Sequence, residues 1–195
     1  MGHAHAGQPA PGFDFVPRGF YGRGAVTVVS HFFWNWYLFR NRPWVWKLAW
    51  GGVLPDLPYI VLLGYYSLQL RVNGLLDLSA WDRAWHHPLV CALHSFVPCL
   101  VVGALSYVAV RRLWLAWWPL WAGWLSHVVL DMLTHRSDGY PIFYPLSDYR
   151  FPTPVSYWEP AYHGYAFMVV NDSLMLALLV RHFVVRRRIA RLALR

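Results

Sequence analysis

Five apolar runs, at roughly residues 25–40, 46–66, 88–110, 113–135 and 164–185, fill most of this 195-residue chain and leave its charges to the connections. About 20 predominantly apolar residues in a helix match the ~30 Å hydrocarbon core of a bilayer, since each residue advances the axis by ~1.5 Å. The pattern predicts an all-α fold, a polytopic membrane helix bundle of about five helices. The first run is short for a full span, so it is expected to tilt or to extend toward Phe20. Composition supports a membrane protein, because only 13% of residues are charged and 57% are hydrophobic, against roughly 25% charged in a typical soluble domain. Many of the 13 tryptophans and 12 tyrosines gather near run ends, as in "WLAWWPLWAGW", where amphipathic rings sit at headgroup depth.

Three regions follow from this reading. Residues 1–24, rich in Gly and Pro, form an N-terminal lead-in without the basic and apolar blocks of a signal peptide. Residues 25–185 form the membrane-embedded helical domain, and residues 186–195 a basic cytoplasmic tail. Pro88 suits the first turn of a helix, and Arg111–Arg112 make a tight connection between antiparallel neighbours. The longest connection, 136–163, is rich in Pro, Tyr and Asp and is expected to be an ordered cap between helices four and five.

If five helices alternate, Arg40, Arg42, Lys47, Arg111, Arg112 and the C-terminal cluster share one side. On the other side Arg71, Arg83, Arg136 and Arg150 are balanced by Asp77, Asp82, Asp138, Asp148 and Glu159. The excess of basic residues on cytoplasmic loops then puts the C-terminus in the cytoplasm and the N-terminus outside. The net charge of +8 is thus read as membrane electrostatics, and nucleic acid is not expected as a partner, for want of a stacking module or zinc-finger spacing. Cys91 and Cys99 lie about 12 Å apart along one predicted helix, too far to pair, so both thiols are assigned to packing.

The stretch "GWLSHVVLDMLTH", residues 123–135, sets His127, Asp131 and His135 where a membrane helix should exclude charge. His127 and Asp131 differ by about 40° around the axis and one turn along it, so both can face one centre, with His135 at the mouth. From their distances to helix ends, His31, Asp56, His94, His127 and Asp131 converge in the outer half of the membrane, with His87 at the rim. Asp56 stands in "GGVLPDLPY", where prolines break regular helix and leave carbonyls to line a cavity. Each such group costs roughly 2.5–3.5 kcal/mol when charged inside hydrocarbon, and a divalent cation can offset several at once. Imidazole with carboxylate suits zinc first, then manganese or iron. The competing readings are a hydrogen-bonded helix contact for each His taken singly, a kink at Asp56, and helix packing for Asn171 and Asp172.

With its "LPD", its "HS", "GWLSHVVLDMLTH" and then "GYPIFYPLSDYRFP", the chain resembles the bacterial inner-membrane metal-dependent hydrolases of the YdjM-like, LexA-regulated family over residues 31–152. The resemblance implies that His31, Asp56, His94, His127 and Asp131 are metal ligands or immediate catalytic residues, and that Arg150 in "YRF" meets substrate charge. Two departures stand out. Pro58 replaces a second acidic residue that relatives often carry, and "HHPLVCALHS" replaces their His-Arg-x-x-Thr-His-Ser, which leaves metal count and the roles of His86 and His87 open. The function expected is hydrolysis of a lipid-borne ester or phosphoester by metal-activated water, with Asp56 or Asp131 as general base. The alternatives are a metal or proton transporter, disfavoured by the apolar "CLVVGALSYVAV" and "LWLAWWPLWAG", and a purely structural metal site.

Overall fold

The structure, a computed structural model, describes residues 24–72, 79–157 and 159–193. The proposed lead-in, apart from Gly24, therefore lies outside the described residues, as does Asp77. The described residues form eight α-helices and no strand: α1 Gly24–Phe39, α2 Val45–Gly51, α3 Asp56–Val72, α4 Ser79–Trp85, α5 Pro88–Leu93, α6 Phe96–Ala109, α7 Arg111–Thr134 and α8 Gly164–Ala193. One 3₁₀ turn, Pro160–Tyr162, precedes α8.

The all-α expectation holds, but two of the five expected helices are broken. The run 46–66 divides into α2 and α3, whose axes bend by 44°, because Pro55 cannot continue the hydrogen-bond ladder. Asp56 consequently opens α3 instead of lying mid-helix. The run 88–110 divides at His94 and Ser95 into α5 and α6. Here the cause is a side chain, since Ser95 Oγ accepts from Val97 N as an N-cap. The same hydroxyl is aimed at the carbonyls of Ile142 and Tyr144, at 3.0 and 2.9 Å. Short α4 stands between the second and third runs, and α8 carries the basic tail on as helix to Ala193.

Of these helices, α8 alone is long and apolar enough to cross a membrane, and α2 with α3 qualifies if the bent pair counts as one span. α6 has 14 residues, about 21 Å of helix. α7 is long, with 24 residues, but much of its apolar surface is tryptophan, which prefers the interface to the bilayer centre. The eight helices thus support one clear span and not five independent ones. Aliphatic side chains nevertheless point outward, with Val61 of α3, Val108 of α6 and Val170 of α8 all 66% or more exposed.

α2 and α7 run in the same direction and touch backbone to backbone. Trp44 meets Trp118 with ring centroids 4.9 Å apart, Lys47 Nζ donates to the Ala116 carbonyl at 2.9 Å, and Gly52 reaches His127. A Cβ added to Gly123 would collide with the Leu48 carbonyl, and one on Gly51 with the Leu120 carbonyl, so this crossing requires glycine on both sides. α1 runs antiparallel to that pair, Ser126 Oγ standing 2.9 Å from Asn35 Oδ1. α6 is antiparallel to α7, with Trp121 Nε1 donating to the Cys99 carbonyl at 2.8 Å. α8 lies along α1 in the same sense, through Asn171 against Ser30 and Trp34, and His182 against Trp36. Both cysteines are free and buried, as packing requires.

The connection after α7 folds back as the expected cap. Ile142 pairs with both Phe96 and Tyr149, Tyr157 N donates to the Thr134 carbonyl at 2.7 Å, and Arg136 Nη1 donates to the Thr153 carbonyl at 2.7 Å. Ser137 Oγ lies 2.5 Å from Glu159 Oε2, tying the two ends of the cap together. Ser95 joins this cap to the α5–α6 break, so Ser95→Ala is expected to lower stability by about 1–2 kcal/mol through the lost N-cap and the Tyr144 carbonyl left without the hydroxyl. Thermal unfolding of the detergent-solubilised protein measures it, and an unchanged midpoint would exclude that coupling.

Candidate metal centre

Four helices, two of them at breaks in regular structure, aim side chains at one point. His31 projects from α1, Asp56 starts α3 after the Pro55 break, His94 ends α5, and His127 and Asp131 share a face of α7. Asp131 is the hub. Its Oδ1 lies 3.0 Å from His31 Nε2 and 3.7 Å from His135 Nε2, and its Oδ2 lies 3.2 Å from His127 Nε2 and 3.6 Å from His94 Nε2. Asp56 Oδ1 faces the same imidazoles, 3.4 Å from His94 Nε2 and 3.8 Å from His127 Nε2. His94 and His127 are at most 2% exposed, and Asp56, the most open of the six, reaches only 9%.

The far nitrogens of three of these rings are held from behind. His94 Nδ1 sits 2.8 Å from the Val90 carbonyl, His127 Nδ1 2.7 Å from the Gly52 carbonyl, and His135 Nδ1 2.7 Å from Asp138 Oδ2. An acceptor on Nδ1 keeps the proton there and turns the lone pair of Nε2 toward the centre, the arrangement that supports imidazole as a metal ligand. Tyr140, from the cap, stacks on His94 with centroids 4.0 Å apart and on Trp85 at 4.4 Å. Burial, reinforced by the carboxylates of Asp131 and Asp56, holds the Tyr140 phenol protonated well above its ordinary range. Burial likewise pushes the Tyr157 phenol up to about 12, and its hydroxyl lies 2.9 Å from Ser30 Oγ, beside His31.

Several polar atoms of the cluster are buried without a hydrogen bond: His31 Nδ1, Asp56 Oδ2, His127 Nε2 and Asp131 Oδ1. The last two stand at ion-pair distance from neighbours but off the line of a hydrogen bond. Folded proteins leave few buried polar atoms unsatisfied, so this many in one place gives the cluster spare capacity for a further partner. The donor set fits a divalent cation. His31, His127 and Asp131 form one group, and Asp56, His94 and His127 a second, each with ligand atoms within 4.8 Å of one another.

All five residues expected to converge are thus in one cluster. His135, expected at the mouth, is buried within reach of Asp131. His87 is elsewhere, capping α5 by accepting from Leu89 N at 3.2 Å, and His86 pairs with Asp82. Arg150 donates to the Gly139 carbonyl, one residue from Tyr140, so it braces the cap over the cluster. Asn171 joins Ser30, Trp34 and Asp172 one helix turn or less from His31. Unforeseen were Tyr140, Asp138 and the carbonyls of Gly52 and Val90. Asp138, three residues beyond His135 in the quoted motif's continuation, was the one with a legible spacing.

A helical protein with outward-facing aliphatic side chains and a buried cluster of imidazoles and carboxylates belongs to the class of membrane proteins built around a polar centre. The family described as YdjM inner membrane protein matches residues 24–194, and the chain belongs to that family. Its name states a membrane and no reaction. No curated protein and no solved structure matches the chain.

Proposed function

We propose that the cluster holds a divalent cation, zinc first and manganese or iron next, and that the chain is a membrane-embedded metal-dependent hydrolase acting on a lipid-borne phosphoester or ester. The observation that carries this reading is the meeting of two carboxylates and four imidazoles, three with Nδ1 already anchored, around buried atoms that lack partners. His31, His94, His127 and Asp131 are the ligand candidates, with His135 in reserve. When bound, the cation would polarise the scissile group and bring the pKa of water toward ~7.

The chain's own residues divide the remaining work. Asp131, faced by four imidazoles, is fixed and suited to ligation. Asp56, faced by two imidazoles where Asp131 is faced by four, is the freer carboxylate and the better general base, Asp131 being the alternative if it is not ligated. Tyr140 fixes the His94 ring by stacking, and its protonated phenol adds no negative charge. Arg150 is proposed to meet the anionic part of the substrate, which requires its guanidinium to share its donors between Gly139 and that anion.

The orientation proposed is a multi-pass bundle in which the five apolar runs, broken or not, all lie in the membrane, with the C-terminus cytoplasmic. The cluster then lies toward the outer face. Supporting this, α7 rises about 24 Å between Arg111 and His127, most of a ~30 Å hydrocarbon core. That depth favours a lipid substrate, which can enter laterally between helices, over a soluble one that must descend past the cap.

The test is to purify the protein in detergent, measure bound metal, and assay phospholipids and soluble phosphoesters with and without a chelator. The expected result is stoichiometric metal and chelator-sensitive turnover. Metal without turnover on any substrate would favour a structural site. Cation flux across liposomes without hydrolysis would favour transport.

A further inference from the structure

A second polar feature lies at the opposite end of α1 from the cluster. Two adjoining cavities, of about 180 and about 250 Å³, open between the C-terminal ends of α1 and α8 and share Arg40, His182 and Arg186. Arg181 lines the larger one. Arg181, Val185 and Ile189 recur at every fourth residue, as do His182 and Arg186, so one face of α8 supplies both the charge and the apolar edge. Arg40 is held in place by its own helix. Its guanidinium lies 4.1 Å from the Tyr37 ring centroid, and Nη1 donates to the Tyr37 carbonyl at 2.5 Å.

Among the described residues these cations gather without an ion-pair partner, since every ion pair joins His to Asp and none involves an arginine. The only carboxylate of α8, Asp172, lies ten residues before His182, about 15 Å along the axis. Three guanidiniums around one groove repel each other unless something negative stands between them. The surroundings select what that is. Trp46, lining the smaller cavity, is 57% exposed, and Ile189, lining the larger, is 60% exposed. A soluble anion gains nothing from such a rim, whereas a lipid places its phosphate among the arginines and its chains along the apolar side.

We infer that this groove is a binding site for the phosphodiester headgroup of an anionic membrane lipid, separate from the metal centre. Arg40 and Arg186 clamp the phosphate, with Arg181 reinforcing them, and Trp36 and Trp46 border the glycerol region. The site docks the C-terminal half of α8, which has few other contacts, against α1. Being about 14 Å along α1 from His31, it does not depend on hydrolysis at the cluster.

Native mass spectrometry of the full chain, exchanged into micelles containing equal phosphatidylglycerol and phosphatidylcholine, tests the inference. The wild type is expected to retain phosphatidylglycerol preferentially. Arg186→Gln should weaken retention about fivefold and the Arg40→Gln/Arg186→Gln pair about thirtyfold. Arg111→Gln/Arg112→Gln removes the same charge elsewhere and should leave the preference intact. Arg186 is exposed, so the single variant loses a charge without losing packing and reads the groove even where the double variant fails to fold. Equal loss in the Arg111/Arg112 pair would overturn the proposal by showing general attraction to positive charge. So would inorganic phosphate stabilising the wild type in lipid-free neutral detergent as well as phosphatidylglycerol does, because the occupant would then be a free anion.

Discussion

Asp131→Asn is expected to lower bound metal at least about a hundredfold while the helices stay assembled. The lower bound comes from outer partners of metal ligands, whose loss alone costs about 10- to 100-fold, and Asp131 stands inside that ring. Four imidazole nitrogens lie 3.0–3.7 Å from its oxygens. Asparagine keeps the shape, removes the charge and puts an NH₂ where one oxygen accepted. Breaking a buried charge cluster by taking one partner costs about 3–5 kcal/mol, so the variant should also unfold earlier. Saturating zinc separates the two effects. At 1,000 times the dissociation constant a ligand stabilises the wild type by about 4 kcal/mol, and a variant binding a hundredfold more weakly should gain no more than about 1.4 kcal/mol at the same zinc concentration. Variant and wild type responding alike to zinc and to chelator would mean that the cluster is a neutral ion-pair network, and the metal reading would fall.

The convergence of the cluster was legible because helix geometry is rigid. A four-residue spacing fixes the shared face of His127 and Asp131, whereas Asp56 and His94 reach the same point from helix ends that the apolar runs did not reveal. What was not legible was backbone interruption. Ser95 reads as an ordinary helix residue until its hydroxyl has Ile142 and Tyr144 to meet, and those partners are 47 and 49 residues away. Tyr140 was hidden for the same reason, since stacking on His94 is a long-range contact with no local signal. Arg150 shows the converse. Its motif was visible, but the carbonyl that holds it is a backbone atom of Gly139, which no residue pattern encodes. The number of unbroken apolar helices was not legible, because apolar composition counts tryptophan with leucine, although the two prefer different depths, and because the breaks at Pro55 and Ser95 divide two runs.

Gly123→Ala is expected to be, with Gly51→Ala, among the most disruptive single-methyl changes at the described residues. The added Cβ would meet the Leu48 carbonyl, Gly52 N and the Gly51 carbonyl carbon, all backbone, so no side chain can rotate away. α2 must move off α7, and the contact that moves with it is the 2.7 Å approach of His127 Nδ1 to the Gly52 carbonyl. Overpacking typically costs about 1–3 kcal/mol, and immobile backbone on every side puts this site at the upper end. A loss of about 3 kcal/mol in a chain of this size lowers Tm by roughly 6–12 °C. Gly64→Ala supplies the control, since its Cβ would meet nothing within 4 Å and alanine favours helix by about 1 kcal/mol. The two substitutions add the same methyl and should shift Tm in opposite directions. The Gly123 variant should also bind metal more weakly, because a His127 ring released from Gly52 no longer presents Nε2 to Asp131. Unaltered metal affinity alongside a lowered Tm would separate the α2–α7 crossing from the geometry of the centre.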